Sequence, residues 1–172
     1  AKEALAYVAP LASSSDPDGL NALGIALADS GAFEKARAVF ERARAIDPES
    51  PVTSMNLGIA SLKEGKLDEA RVALGRAVTL NPSLPAAWNA LGAVEAQQGN
   101  VDAALAAWAK VVTLVPDDVD ALYNLGSARL EAQDARGAID AYKSALRAHP
   151  DEPKAKRNLE LALRLLEEQQ KQ

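Results

Sequence analysis

The sequence repeats itself every 34 residues. Gly24, Gly58, Gly92 and Gly126 stand at that interval, and so do Ala36, Ala70, Ala104 and Ala138. Pro48, Pro82, Pro116 and Pro150 form a third series, and Leu23, Leu57, Leu91 and Leu125 a fourth. A fifth series holds large apolar residues: Phe40, Leu74, Trp108 and Tyr142. Chance can place one series in register, but not five. Such a chain must bury the apolar face of each repeat against its neighbours, so it folds as a stack of like units.

The stretch from Trp88 to Pro116 carries the pattern most completely. Trp88, Leu91, Val94 and Glu95 fall on helical spacing, Gly99-Asn100 interrupts, and Ala104, Leu105, Trp108 and Val111 resume it before Val115-Pro116. Two short antiparallel helices follow from this. Gly92 and Ala104 are expected to face each other across the hairpin, with Trp88 and Trp108 filling the space on either side. A glycine inside a helix costs roughly 0.5–1 kcal/mol relative to alanine, so Gly92 implies a packing reason.

At these spacings the sequence resembles a tetratricopeptide repeat array, whose helix-turn-helix unit carries a large residue, Leu-Gly, Ala, an aromatic and Pro. The resemblance covers four repeats, residues 17–50, 51–84, 85–118 and 119–152. It implies an all-α fold, a right-handed α-α superhelix forming one continuous solenoid domain. Residues 1–16 would be a partial repeat, and residues 153–172 a C-terminal capping helix. The sequence departs from the family where an aromatic often follows the glycine, with Leu27, Ser61, Glu95 and Arg129, and at the first large position, where the second repeat has Ser54.

Composition narrows the function. A net charge of −5 over 172 residues gives little electrostatic attraction for nucleic acid. Aromatics are only 4%, so Ala, Leu and Val must build the core. There is no cysteine, which removes disulfides, thiolate nucleophiles and cysteine-based zinc sites together. The longest apolar stretch, Ala4 to Ala12, contains Pro10 and falls far short of the ~20 residues that a membrane span needs. It has no basic leader and does not read as a signal peptide. Cytoplasmic and exported proteins both fit, so localisation stays open.

The punctuation is local chemistry. Ala4, Leu5, Val8 and Leu11 predict a first helix, and the serine run 13–15 with Asp16 predicts a polar turn capping the next. Pro17, Pro51 and Pro85 sit where first helices begin, and Gly31, Gly65 and Gly99 where they turn. The fourth repeat has Gln133-Asp134 instead of glycine, which predicts a strained or differently capped turn. After Pro153 a fifth repeat begins but Glu160 replaces its glycine, and Leu159, Leu161, Leu163, Leu165 and Leu166 make an apolar stripe wider than one neighbour requires.

No catalytic constellation is present. His149, the only histidine, stands in an inter-helix loop without a partner. Asp117, Asp118 and Asp120 lie at a helix start, where carboxylates cap free backbone N–H groups without need of a metal. The chain is therefore expected to be no enzyme and to need no cofactor or metal.

Function must come from surface. The resemblance implies a concave groove, lined mainly by first helices, that holds a protein or an extended peptide. Positions 5, 6 and 9 of the repeats are Asn21, Ala22 and Ile25; Met55, Asn56 and Ile59; Asn89, Ala90 and Ala93; and Tyr123, Asn124 and Ser127. Arg157, Asn158 and Leu161 continue the series on the terminal helix. A carboxamide both donates and accepts, so these asparagines could clamp a peptide backbone whatever its side chains, with Met55 and Tyr123 adding apolar contact. The bland alternative is that they only solvate an exposed helix. Lys154, Lys156, Arg157 and Arg164 lie opposite an acidic start at Asp16, Asp18 and Asp29, a polarity that could orient an acidic segment. Two other functions fit the same sequence: homo-oligomer assembly through Leu161 and Leu165, and an accessory role within a larger enzyme.

Overall fold

The computed structural model describes residues 15–171, so the helix and serine run expected ahead of Ser15 lie outside it. Among the described residues there are nine helices and no strand. They are α1 (Pro17–Asp29), α2 (Phe33–Ile46), α3 (Pro51–Lys63), α4 (Leu67–Leu80), α5 (Pro85–Gln97), α6 (Val101–Leu114), α7 (Val119–Glu131), α8 (Ala135–Ala148) and α9 (Pro153–Gln169). The odd-numbered helices are the first helices of successive repeats. The chain divides into two compact units, one ending at Val94 and the other beginning at Glu95, with the division inside α5.

Each helix starts and stops for a local reason. Asp16 accepts hydrogen bonds from the Asp18 and Gly19 amides ahead of α1, Ser50 accepts from Thr53 N ahead of α3, and Asp118 from Ala121 N ahead of α7. Prolines occupy the first turns of α1, α3 and α9, where a missing N–H costs nothing. The turns inside the hairpins need left-handed backbone: Gly31, Gly65 and Gly99 have φ of 81°, 76° and 77°. Gln133 takes the same conformation in the fourth repeat at φ 60°, and Asp134 answers by capping Gly137 N at 2.9 Å. The other second helices, α2, α4 and α6, have no such side-chain cap.

In the first unit, Ala36 and Phe40 of α2 join Leu57 and Ala60 of α3 and Ala73 of α4 in one buried cluster. A second cluster joins Ala70 and Leu74 to Val94, and a third joins Ala77 and Val78 to Ala87. In the second unit, Leu122, Ala138, Ile139, Tyr142 and Ala145 are buried with Ala155 and Ala162 of α9. Small side chains dominate the buried set, as the low aromatic content requires. Thr53, Ser54, Ser61 and Glu95 are the polar exceptions, and Ser54 stands out among them. It is 1% exposed at the position held by Leu20 and Leu122 elsewhere, and its hydroxyl has no hydrogen-bond partner among the described residues.

The glycines of the 34-residue series also seat a large side chain, beside the glycine-to-alanine approach expected from sequence. In three repeats the group lying over the glycine is the large residue sixteen positions on. A Cβ added at Gly126 would meet Tyr142 Cε1 at 2.7 Å, one at Gly58 would meet Leu74 Cγ at 2.5 Å, and one at Gly24 would run into the Phe40 ring. The glycine is thus the seat for a large buried side chain of its own hairpin. The effect of a methyl group should therefore depend on the seat. Gly126→Ala should cost about 1–3 kcal/mol of stability by overpacking against the fully buried Tyr142. Gly75→Ala, in the interior of α4 with nothing within 4 Å of the new Cβ, should gain up to about 1 kcal/mol. Urea denaturation of the two variants checks the opposite signs.

Candidate peptide-binding groove

In the first unit α1 and α3 stand side by side, and a cleft of about 350 Å³ opens along them. Ile25, Ala28 and Asp29 come from α1; Asn56, Ile59 and Lys63 come from α3; and Phe33 and Phe40 from α2 close one side. Ile25 is 44% exposed, large for an isoleucine in the wall of a cleft. Asp29 and Lys63 place opposite charges at its edge. The cleft is apolar inside and polar at the rim, the usual composition of a ligand site.

The asparagines of this unit differ in the partners their carboxamides find. Asn21 is half-buried and donates its Nδ2 to Thr53 Oγ1 at 2.7 Å, tying one repeat to the next. Its Oδ1 is buried with no partner, and so is Nδ2 of Asn56, a residue that lines the cleft. Met55 lies half-buried against two apolar clusters, which limits how far it can adapt to a ligand. Asn89 is half-buried on α5.

In the second unit three of the candidate residues converge on Tyr142. The Tyr142 hydroxyl lies 3.1 Å from Ser127 Oγ and 3.3 Å from Asn158 Nδ2, which also donates to Tyr123 Oη at 3.2 Å. The two tyrosine rings are 6.0 Å apart and tilted by 50°. Burial pushes the Tyr142 hydroxyl above its ordinary pKa, while the hydrogen bonds from Ser127 and Asn158 pull it back. These residues link α7, α8 and α9. Asn124 is half-buried beside them and Arg157 is exposed. Tyr142 was visible in the sequence only as a large apolar residue; the hydroxyl, unique in its series, was the available signal.

The end of α3, which carries Lys63, is fixed by charge. Arg37 of α2 reaches Glu41 at 2.7 Å, Glu64 at 3.3 Å and Glu69 at 3.7 Å, and Lys66 reaches Glu64 at 2.7 Å. Burial acts to lower the Arg37 pKa, but the three carboxylates outweigh it and hold the guanidinium above its ordinary value. The Lys66 hydrogen bond holds the Glu64 carboxyl below its usual range, against the burial that raises it. A second cleft of about 390 Å³ lies between α2, α3 and α4, walled by Glu41, Arg44, Asp68 and Val72. It opens on the side of the second helices and does not include the asparagines.

Two tetratricopeptide repeat family profiles match the chain, one over residues 27–94 and the other over residues 1–51 and 96–153. The chain belongs to the tetratricopeptide repeat family. Solved structures agree on the fold. A MamA protein superimposes with a TM-score of 0.81 at 23% identity, over 87% of this chain and 81% of that one. MamA from Desulfovibrio magneticus RS-1 gives 0.78 at 25% identity, over 88% and 87%. YrrB, described as a TPR protein with an unusual peptide-binding site, gives 0.77 at 26% identity, over 91% and 81%. A comparison with curated protein sequences finds no match. The tetratricopeptide repeats place this chain among protein-interaction scaffolds, whose partners are proteins or peptides. No helix among the described residues is long and apolar enough to cross a membrane.

Acid should loosen this protein partly through Glu64. A carboxyl whose folded pKa is depressed stabilises fully above its unfolded value, ordinarily 4.5, and the stabilisation is lost as pH falls through the lower folded value. Wild-type stability should therefore fall more steeply than that of Glu64→Gln over the interval that opens below pH 4.5. Urea midpoints measured across that interval check this.

Proposed function

We propose that this protein binds an extended protein segment along α1 and α3, with the cleft between them taking an apolar side chain and Asn56 gripping the segment's backbone. The observation that carries the reading is that Asn56 lines a cleft walled by Ile25 and Ile59 while its Nδ2 donor is buried without a partner. A buried donor left unsatisfied costs roughly 1–3 kcal/mol, so a ligand carbonyl reaching it recovers that cost. Asp29 and Lys63 at the rim add charge selectivity. A backbone clamp also explains tolerance of ligand sequence, because the amide is common to every peptide. The repeat scaffold itself supplies no chemistry, and the reading is non-catalytic. YrrB, a structural relative described as having a peptide-binding site, lends the reading support by likeness.

An open groove must offset the ordering of a flexible peptide, so dissociation constants on the order of micromolar are expected. Selection of random displayed peptides against the folded protein should recover ligands, whose affinities can then be measured by fluorescence anisotropy. Asn56→Ala and Ile25→Glu should each weaken those ligands about tenfold or more, equal to about 1.4 kcal/mol, with helicity by circular dichroism unchanged. Ligands that bind both variants as tightly as wild type would sink this assignment of the site.

A further inference from the structure

The terminal helix α9 buries one face and leaves another open. Ala155 and Ala162 are fully buried, and Leu159 and Leu166 pack on the core of the second unit. Leu161 is 46% exposed. Helical spacing puts Lys154, Arg157, Arg164, Leu165 and Glu168 on the same face as Leu161. Lys154, Arg157 and Glu168 are exposed and make no ion pair among the described residues, whereas Lys156, on a different face, is held by Asp151 at 3.2 Å. The open face therefore begins with Lys154 and Arg157, has Leu161 at its middle with Arg164 beside it, and ends at Glu168, so its two ends carry opposite charge.

That order is complementary to itself in one sense only. Laid antiparallel, the basic end of one helix meets the acidic end of another; laid parallel, Lys154 would meet Lys154 and Glu168 would meet Glu168. We propose that two copies of this chain pair through α9, antiparallel about Leu161. The register follows from the residue numbers. With Leu161 of one copy on Leu161 of the other, Lys154 of each stands opposite Glu168 of its counterpart, and the aliphatic stem of Arg157 lies on Leu165. Two-fold symmetry repeats every one of these contacts, which is how most homodimers close. A single helix pair buries less than the roughly 1,200 Å² of a standard interface, so the dimer is weak and depends on concentration. The proposal rests on the second unit, and the peptide cleft on the first, so either can fail alone.

Light scattering after size-exclusion chromatography, from about 1 to 500 µM, spans the range where so small an interface assembles. The mass should rise from one copy to two. Leu161→Glu should weaken the dimer at least about tenfold, and high salt should weaken it severalfold. Lys154→Glu and Glu168→Lys should each weaken it severalfold, and the two together should restore it to within about twofold of wild type, because the swapped charges again attract. All three sites are exposed, so circular dichroism should show the helices intact. A monomer at every concentration overturns the proposal. So does a dimer indifferent to Leu161→Glu, or a double charge variant that fails to recover.

Discussion

Every hairpin in which the contact is described is built on one close approach, that of a large side chain to a helical glycine. Phe40 sits on Gly24, Leu74 on Gly58 and Tyr142 on Gly126. Without a Cβ the first helix lets the second come close, and the side chain that fills the gap is fully buried or nearly so. The rest of the repeat follows. The alanines at Ala36, Ala70 and Ala138 are completely buried around that contact, and the next first helix brings Leu57 or Ala155 onto the same cluster. A fold with so few aromatics can afford small interior residues only because this spacing keeps its helices tightly packed.

The fold was legible because repetition multiplies a weak signal. Helix starts at Pro17, Pro51, Pro85 and Pro153 and left-handed turns at Gly31, Gly65 and Gly99 lie where the 34-residue period put them. Gln133 was also readable as an anomaly, since the turn needs positive φ and only the residue type changed. What the period could not give was the partner of each residue. Gly and Ala sit on opposite helices of each hairpin, and sequence alone did not say that the glycine also receives the large side chain sixteen residues on.

The groove was less legible for the same reason. Position within a repeat says which face a side chain is on, but not whether a neighbour has already taken its hydrogen bonds. Asn21 spends its donor on Thr53, and Asn158 on two tyrosine hydroxyls. Asn56 keeps an unpaired donor in a cleft. All three are asparagines at groove positions, and they differ only in what the adjacent repeat offers. Ile25 and Ile59 were named from position, yet the cleft they share needs Phe33 and Phe40 behind it, and those come from the intervening helix.

The bond from Asn21 to Thr53 has a further consequence for how the chain folds. Thr53 passes its own hydroxyl hydrogen to Ser50 Oγ at 2.9 Å, and that same oxygen receives the Thr53 amide at the start of α3. The nucleus of one repeat is thus wired to a side chain of the repeat before it. In a linear array the cost of starting each helix is the main barrier, and here a finished neighbour lowers it. Because the bond works both ways, order in either repeat favours order in the other, with the threonine hydroxyl as the tooth that engages both.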